Sequence, residues 1–115
     1  MAVIHTVSLY EEGFDLIKNG HKTVEVRLYD EKRKQFQPGH KLIFRKLPDE
    51  NDSIETEIEA IKTFMTFEEL YRDIGFEALG RSDKTMQWML EKTGELYSRD
   101  EEQRNGAVAI YIKTL

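Results

Sequence analysis

Lys22, Thr23, Glu25 and Arg27 are the residues of this chain whose types and spacing could do chemistry. They lie in or beside the stretch Thr23 to Tyr29, which alternates between apolar and polar positions as a β-strand does. Val24, Val26 and Leu28 fall on one face. Thr23, Glu25, Arg27 and Tyr29 fall on the other, at successive spacings of about 7 Å. Lys22 stands at the mouth of the strand. A hydroxyl, a carboxylate and two cations thus gather within the width of a nucleotide. The cations suit a phosphate or a polarised carbonyl. Glu25 suits acceptance from a base edge, or general-base work where burial raises its pKa. The same four residues also describe an outward Glu–Arg pair with a lysine beside it, worth only ~0–1 kcal/mol.

Other chemistries find little support. His5, His21 and His40 fall on separate elements, at no metal-ligand spacing, and the chain has no cysteine. No metal site is expected. The seven glycines are dispersed, so no phosphate-binding glycine loop exists, and no Gly-x-Ser-x-Gly elbow is present. Nothing points to an organic cofactor.

The elements that must hold the strand follow from pattern and punctuation. Val3 to Leu9 is a short apolar-rich strand. Glu11 to Asn19 reads as a helix with Phe14 and Ile17 inward, closed by Gly20 where a left-handed cap belongs. Asp30 to Gln37 is a charged connection and Pro38-Gly39 a turn. Lys41 to Arg45 forms a strand, and Pro48 to Ser53 a polar loop. Ile54 to Ile61 alternates again, with Ile54, Thr56, Ile58 and Ala60 opposed to Glu55, Glu57 and Glu59. Thr66-Phe67-Glu68-Glu69 has capping-box spacing and opens a helix with Phe67, Leu70, Tyr71 and Ile74 inward. A further helix is expected over Asp83 to Lys92, offering Met86, Met89 and Leu90 to the core and stopping before Gly94. Ser98 and Glu101 repeat the capping-box spacing and start a short helical turn. Ala107 to Ile112 is a closing strand with Val108, Ile110 and Ile112 on one face. Strands grouped around inserted helices, without a βαβ rhythm, indicate an α+β fold built on a small barrel or curled sheet.

A chain of 115 residues fits one domain, taken as residues 1–115. No run of about 18 apolar residues occurs, which argues against a membrane span. The start, Met1 to Tyr10, lacks the features of a secretory signal. A cytoplasmic location is the expectation. The net charge is -5, unlike that of a typical nucleic-acid binder. Yet between Lys18 and Lys46 nine basic residues meet three acids, an asymmetry that produces a positive face if folding preserves it and scatters if folding does not. No signal for an oligomeric state is present.

The stretch from Phe14 to Arg27 resembles the signature of the ASCH domain. Gly20, Lys22, Glu25 and Arg27 meet its core pattern, Gly-x-Lys-x-x-Glu-x-Arg. Pro38-Gly39-x-x-Leu42-Ile43-Phe44 and Tyr97-Ser98-x-x-Glu101-Glu102-Gln103, followed by Gly106, extend the similarity along nearly the whole chain. The resemblance implies a PUA-like small mixed β-barrel surrounded by helices. It also implies that RNA or a nucleotide, modified or not, is held in a cleft lined by the motif. Lys18, Lys22, Glu25, Arg27 and Tyr97 are then the candidate binding residues. Tyr29 and Tyr97 are candidates to stack a base, or else to pack with a hydroxyl at the rim.

Two hydrolytic alternatives share that cleft. Some ASCH proteins remove the acetyl group of acetylcytidine with a motif lysine, a threonine two residues before the motif arginine, and a distal glutamate. Lys22 matches the lysine, but Glu25 occupies the threonine position. Thr23 lies two residues earlier, and Glu77 is the nearest candidate for the distal acid. A carboxylate does not easily form the same acyl intermediate. The other alternative is metal-independent cleavage of an RNA phosphodiester, with Lys22 stabilising the transition state and Glu25 as base.

Overall fold

The computed structural model describes residues 3–115. Along the chain run β1 (Ile4–Leu9), α1 (Glu11–Lys18), β2 (Val24–Leu28), a 3-10 turn (Arg33–Gln35), β3 (Lys41–Lys46) and β4 (Ser53–Phe64). They are followed by α2 (Phe67–Ile74), α3 (Met86–Leu96), α4 (Arg99–Asn105) and β5 (Ala107–Thr114). The strands form one sheet in the order β1-β3-β4-β5-β2. Only the β1–β3 pair is parallel among them. The sheet curls into a half-barrel with the helices packed around it, the α+β, PUA-like architecture expected.

Two apolar clusters hold the sheet. Val7, Phe14, Ile17, Leu42, Phe44 and Ile58 make the first, and Val24, Leu28, Phe67, Leu70, Leu79 and Met89 the second. β5 feeds both: Val108, Ile110 and Ile112 enter the first, while Ala107 and Ala109 enter the second. A strand covered on both faces has a nearly continuous apolar sequence, and Ala-Val-Ala-Ile-Tyr-Ile is such a run.

Several elements differ in detail from the sequence expectation. β4 runs on to Phe64, and a bulge between Ile58 and Ala60 shifts its register against β5. Ala60 is therefore exposed, and Ile61 packs against the first core in its place. α2 is capped by Thr66, whose hydroxyl accepts from the Glu69 amide at 3.1 Å. The Phe67 amide, another free N–H of the first turn, donates to Glu102 of α4 at 2.7 Å, so a second helix helps to cap α2. α3 begins at Met86, after Thr85 accepts from the Trp88 amide, and continues through Gly94 to Leu96. The capping box expected at Ser98 and Glu101 is formed in full and opens α4. Gly106 ends α4 with φ +74°, and an added Cβ there would lie 2.6 Å from the Phe64 carbonyl oxygen.

Candidate functional site

β1 and β2 are the two ends of the strand order, and the curl of the sheet brings them face to face. Their edges carry unpaired backbone groups, which side chains satisfy. Arg27 of β2 donates from Nη2 to the Ser8 carbonyl of β1 at 3.1 Å, and Lys32 donates to the Thr6 carbonyl at 3.0 Å. Where the two edges part, a cleft of about 880 Å³ opens toward α3. Lys22, Glu25, Arg27 and Tyr97 all line it.

Glu25 lies at its base, 3% exposed. Its Oε1 accepts from Lys22 Nζ at 2.8 Å and from the Val26 amide at 3.1 Å. Its Oε2 accepts from Arg27 Nε at 3.2 Å and from Arg27 Nη2 at 3.1 Å. A carboxylate offers about four acceptor positions, and all four are occupied. Burial raises the Glu25 pKa, but the charges of Lys22 and Arg27 and their hydrogen bonds outweigh it and bring it to about 2. Arg27 mirrors this: burial works against its charge, and Glu25 and then Tyr97 hold it ionised. Tyr97 stacks on Phe67 with ring centroids 5.5 Å apart and planes at 6°. Deeper in the cleft, Thr93 donates to the Met89 carbonyl at 2.8 Å, so the 2.7 Å contact with Tyr71 has the Tyr71 hydroxyl as donor.

The remaining sequence candidates lie elsewhere. Lys18 is exposed at the end of α1, away from the cleft lining. Thr23 precedes β2 and opens with His21 and Glu77 onto a separate hollow of about 740 Å³. The pairing of Lys22 with Leu79, and of the Thr23 amide with the Ala78 carbonyl at 2.8 Å, runs between the two. Tyr29 packs against the first core. His5 and His40, distant in sequence, do meet, with Nε2 and Nδ1 2.9 Å apart. No group of three metal-ligating side chains occurs among the described residues. No helix among them is long and apolar enough to cross a membrane.

Folding does not keep the basic segment together at the cleft: of its nine cations only Lys22 and Arg27 line it. Arg33 and Lys34 pair with Asp30 and Glu31, Lys41 with Glu55, and Lys46 with Glu11 and Asp15. Three further cleft cations, Arg81, Lys84 and Lys92, come from the otherwise acidic half. They surround Trp88, which stands outside any motif and whose visible signal in the sequence is a lysine four residues before it and another four after it. Tyr10 and Leu96, 75% and 72% exposed, stand at the cleft as well.

This architecture matches a known family. The model of the ASCH domain fits residues 7–115. The chain belongs to the ASCH domain family. The solved structure of the protein PH0355 superposes with a TM-score of 0.84 at 29% identity, over 98% of this chain and 100% of that one. PF0455 from Pyrococcus furiosus gives 0.77 at 29% identity, over 98% of each chain. The ASCH domain from Lactobacillus crispatus gives 0.67 at 19% identity, over 97% of this chain and 79% of that one, a likeness of fold. Among curated proteins nothing matches.

Proposed function

We propose that the cleft binds RNA or a nucleotide, with Lys22 and Arg27 as the groups that hold it and Glu25 as the residue that positions them. The observation that carries this reading is the saturation of Glu25. Its acceptor positions are spent within the protein, whereas Lys22 and Arg27 are not exhausted as donors. Lys22 has three N–H groups and gives one to Glu25. Arg27 has five: three on Nε and Nη2 serve Glu25 and Ser8, a further one meets the Tyr97 hydroxyl, and one remains. A cleft that offers cationic donors calls for a ligand rich in acceptors, as phosphates and base carbonyl edges are. The aromatic lining supplies surfaces on which a base stacks.

The ionisation of Glu25 also favours holding over cleavage. A carboxylate at about 2 is a weak proton acceptor near neutral pH, where an effective general base has a pKa close to the working pH. Thr23, the candidate hydroxyl nucleophile, faces the other hollow.

The test is binding of a fluorescently labelled single-stranded RNA across a salt series. Affinity falls as salt rises, because each neutralised phosphate releases counterions. Arg27→Ala weakens binding about tenfold or more and flattens the salt slope by about one. Affinity indifferent to both salt and Arg27→Ala overturns the proposal.

A further inference from the structure

Trp88 is the one tryptophan of the chain, half-buried on α3, and lines the same cleft as Lys22 and Arg27. Three cations lie within cation–π reach of its ring. Lys84 Nζ is 4.8 Å from a ring centroid, the Arg81 guanidinium carbon 5.3 Å and Lys92 Nζ 5.7 Å. None belongs to the Lys22–Arg27 motif. Arg81 pairs with Glu12, Lys84 with Asp83 at 3.3 Å and Lys92 with Glu95 at 3.3 Å. The acids of these pairs are largely exposed, so the pairs are weak and can be exchanged for contacts with a phosphate.

We infer that this wall is a second nucleotide subsite, so that the cleft takes a single strand of at least two nucleotides. One nucleotide sits at Lys22 and Arg27, its neighbour stacks on Trp88, and the phosphates of the second meet Arg81, Lys84 and Lys92. The inference rests on the reading of the cleft as a site for RNA or a nucleotide. Base stacking on an indole is stronger than an exposed cation–π contact, so an arriving base displaces a cation from the ring. The displaced cation then has a phosphate within reach. Tyr10 and Leu96 leave apolar surface in water at the same cleft, as a surface awaiting a partner does.

The lone tryptophan makes the test direct. Wild-type protein is titrated with the four nucleoside monophosphates and with a labelled hexaribonucleotide pool of randomised sequence, reading label anisotropy and selectively excited tryptophan fluorescence. The hexanucleotides are expected to bind about tenfold or more tightly than any monophosphate, and the fluorescence change to share the midpoint of the anisotropy change. In Trp88→Ala that gain is lost. Lys84→Ala, which leaves the half-buried indole in place, lowers hexanucleotide affinity severalfold and serves if Trp88→Ala does not fold. Hexanucleotide binding that Arg27→Ala abolishes, but that leaves Trp88 fluorescence and the Lys84→Ala affinity unchanged, overturns the second subsite and spares the motif site. Absence of binding by every probe overturns both.

Discussion

Replacing Glu25 by glutamine keeps the volume of the side chain and removes the charge that joins Lys22 to Arg27. Its effect can be worked from the structure. The Glu25 pKa falls from an ordinary 4.5 to about 2 in the fold, and each unit corresponds to ~1.4 kcal/mol. The ionised carboxylate therefore contributes about 3 kcal/mol of stability, in line with the ~3–5 kcal/mol lost when one partner of a buried ion pair is removed. Because the folded pKa lies below the unfolded one, this contribution is complete above pH 4.5 and drains away as pH falls toward about 2. Glu25→Gln should unfold in urea at pH 7 with stability lower by about 3 kcal/mol, equivalent to about 12 °C in Tm for a domain of this size. The gap between wild type and variant should narrow as pH is lowered from 4.5 toward 2. Comparing the two proteins isolates Glu25 from the other carboxylates. A gap under about 1 kcal/mol at pH 7, the scale of an exposed pair, or one that keeps its size in acid, refutes the reasoning.

Arg27→Lys retains the charge but not the fork that reaches both Glu25 and Ser8. It should lower RNA affinity severalfold in the anisotropy assay and stability by about 1–3 kcal/mol in urea. Thr23→Ala, which alters the other hollow, should leave RNA affinity within about twofold of wild type. Gly106→Ala puts a Cβ against the Phe64 carbonyl at a positive φ and should cost about 2 kcal/mol or more in the same denaturation assay. Ser98→Ala removes the N-cap of α4 and should cost about 1 kcal/mol.

Much of the fold was legible because strands and caps write themselves locally. The alternation around β2, the apolar run of β5, the glycine after α1 and the box at Ser98 each depend on near neighbours. What escaped depends on distant ones. The bulge that turns Ala60 outward follows from how β4 must bend against β5. Gly94 reads as a stop, but α3 passes through it to Leu96, and the Thr93 beside it is anchored to Met89 and Tyr71. At the site, Lys22, Glu25 and Arg27 are close in sequence and stay together. Tyr97 is legible in the sequence only through the family pattern that includes it. Trp88 and its cations lie outside any motif, and they meet β2 only through the packing of α3 on the second core, where Met89 joins Val24 and Leu28. The basic residues segregated between Lys18 and Lys46 do not stay together in the fold, since four of the nine, Arg33, Lys34, Lys41 and Lys46, find acidic partners away from the cleft. Glu25 held the least expected property. Its environment fixes it as an ionised anchor with no acceptor to spare, which a sequence pattern cannot distinguish from a base.

Amide and side-chain NMR shifts, followed while a single-stranded hexaribonucleotide is added, address most directly whether nucleic acid occupies the opening between the two terminal strands. The Val26 amide, the Arg27 Nε–H and the backbone of Tyr97 should move together and saturate at one ligand concentration. Shifts that gather instead around Thr23, Glu77 and Asp83, with Arg27 unmoved, would contradict the account.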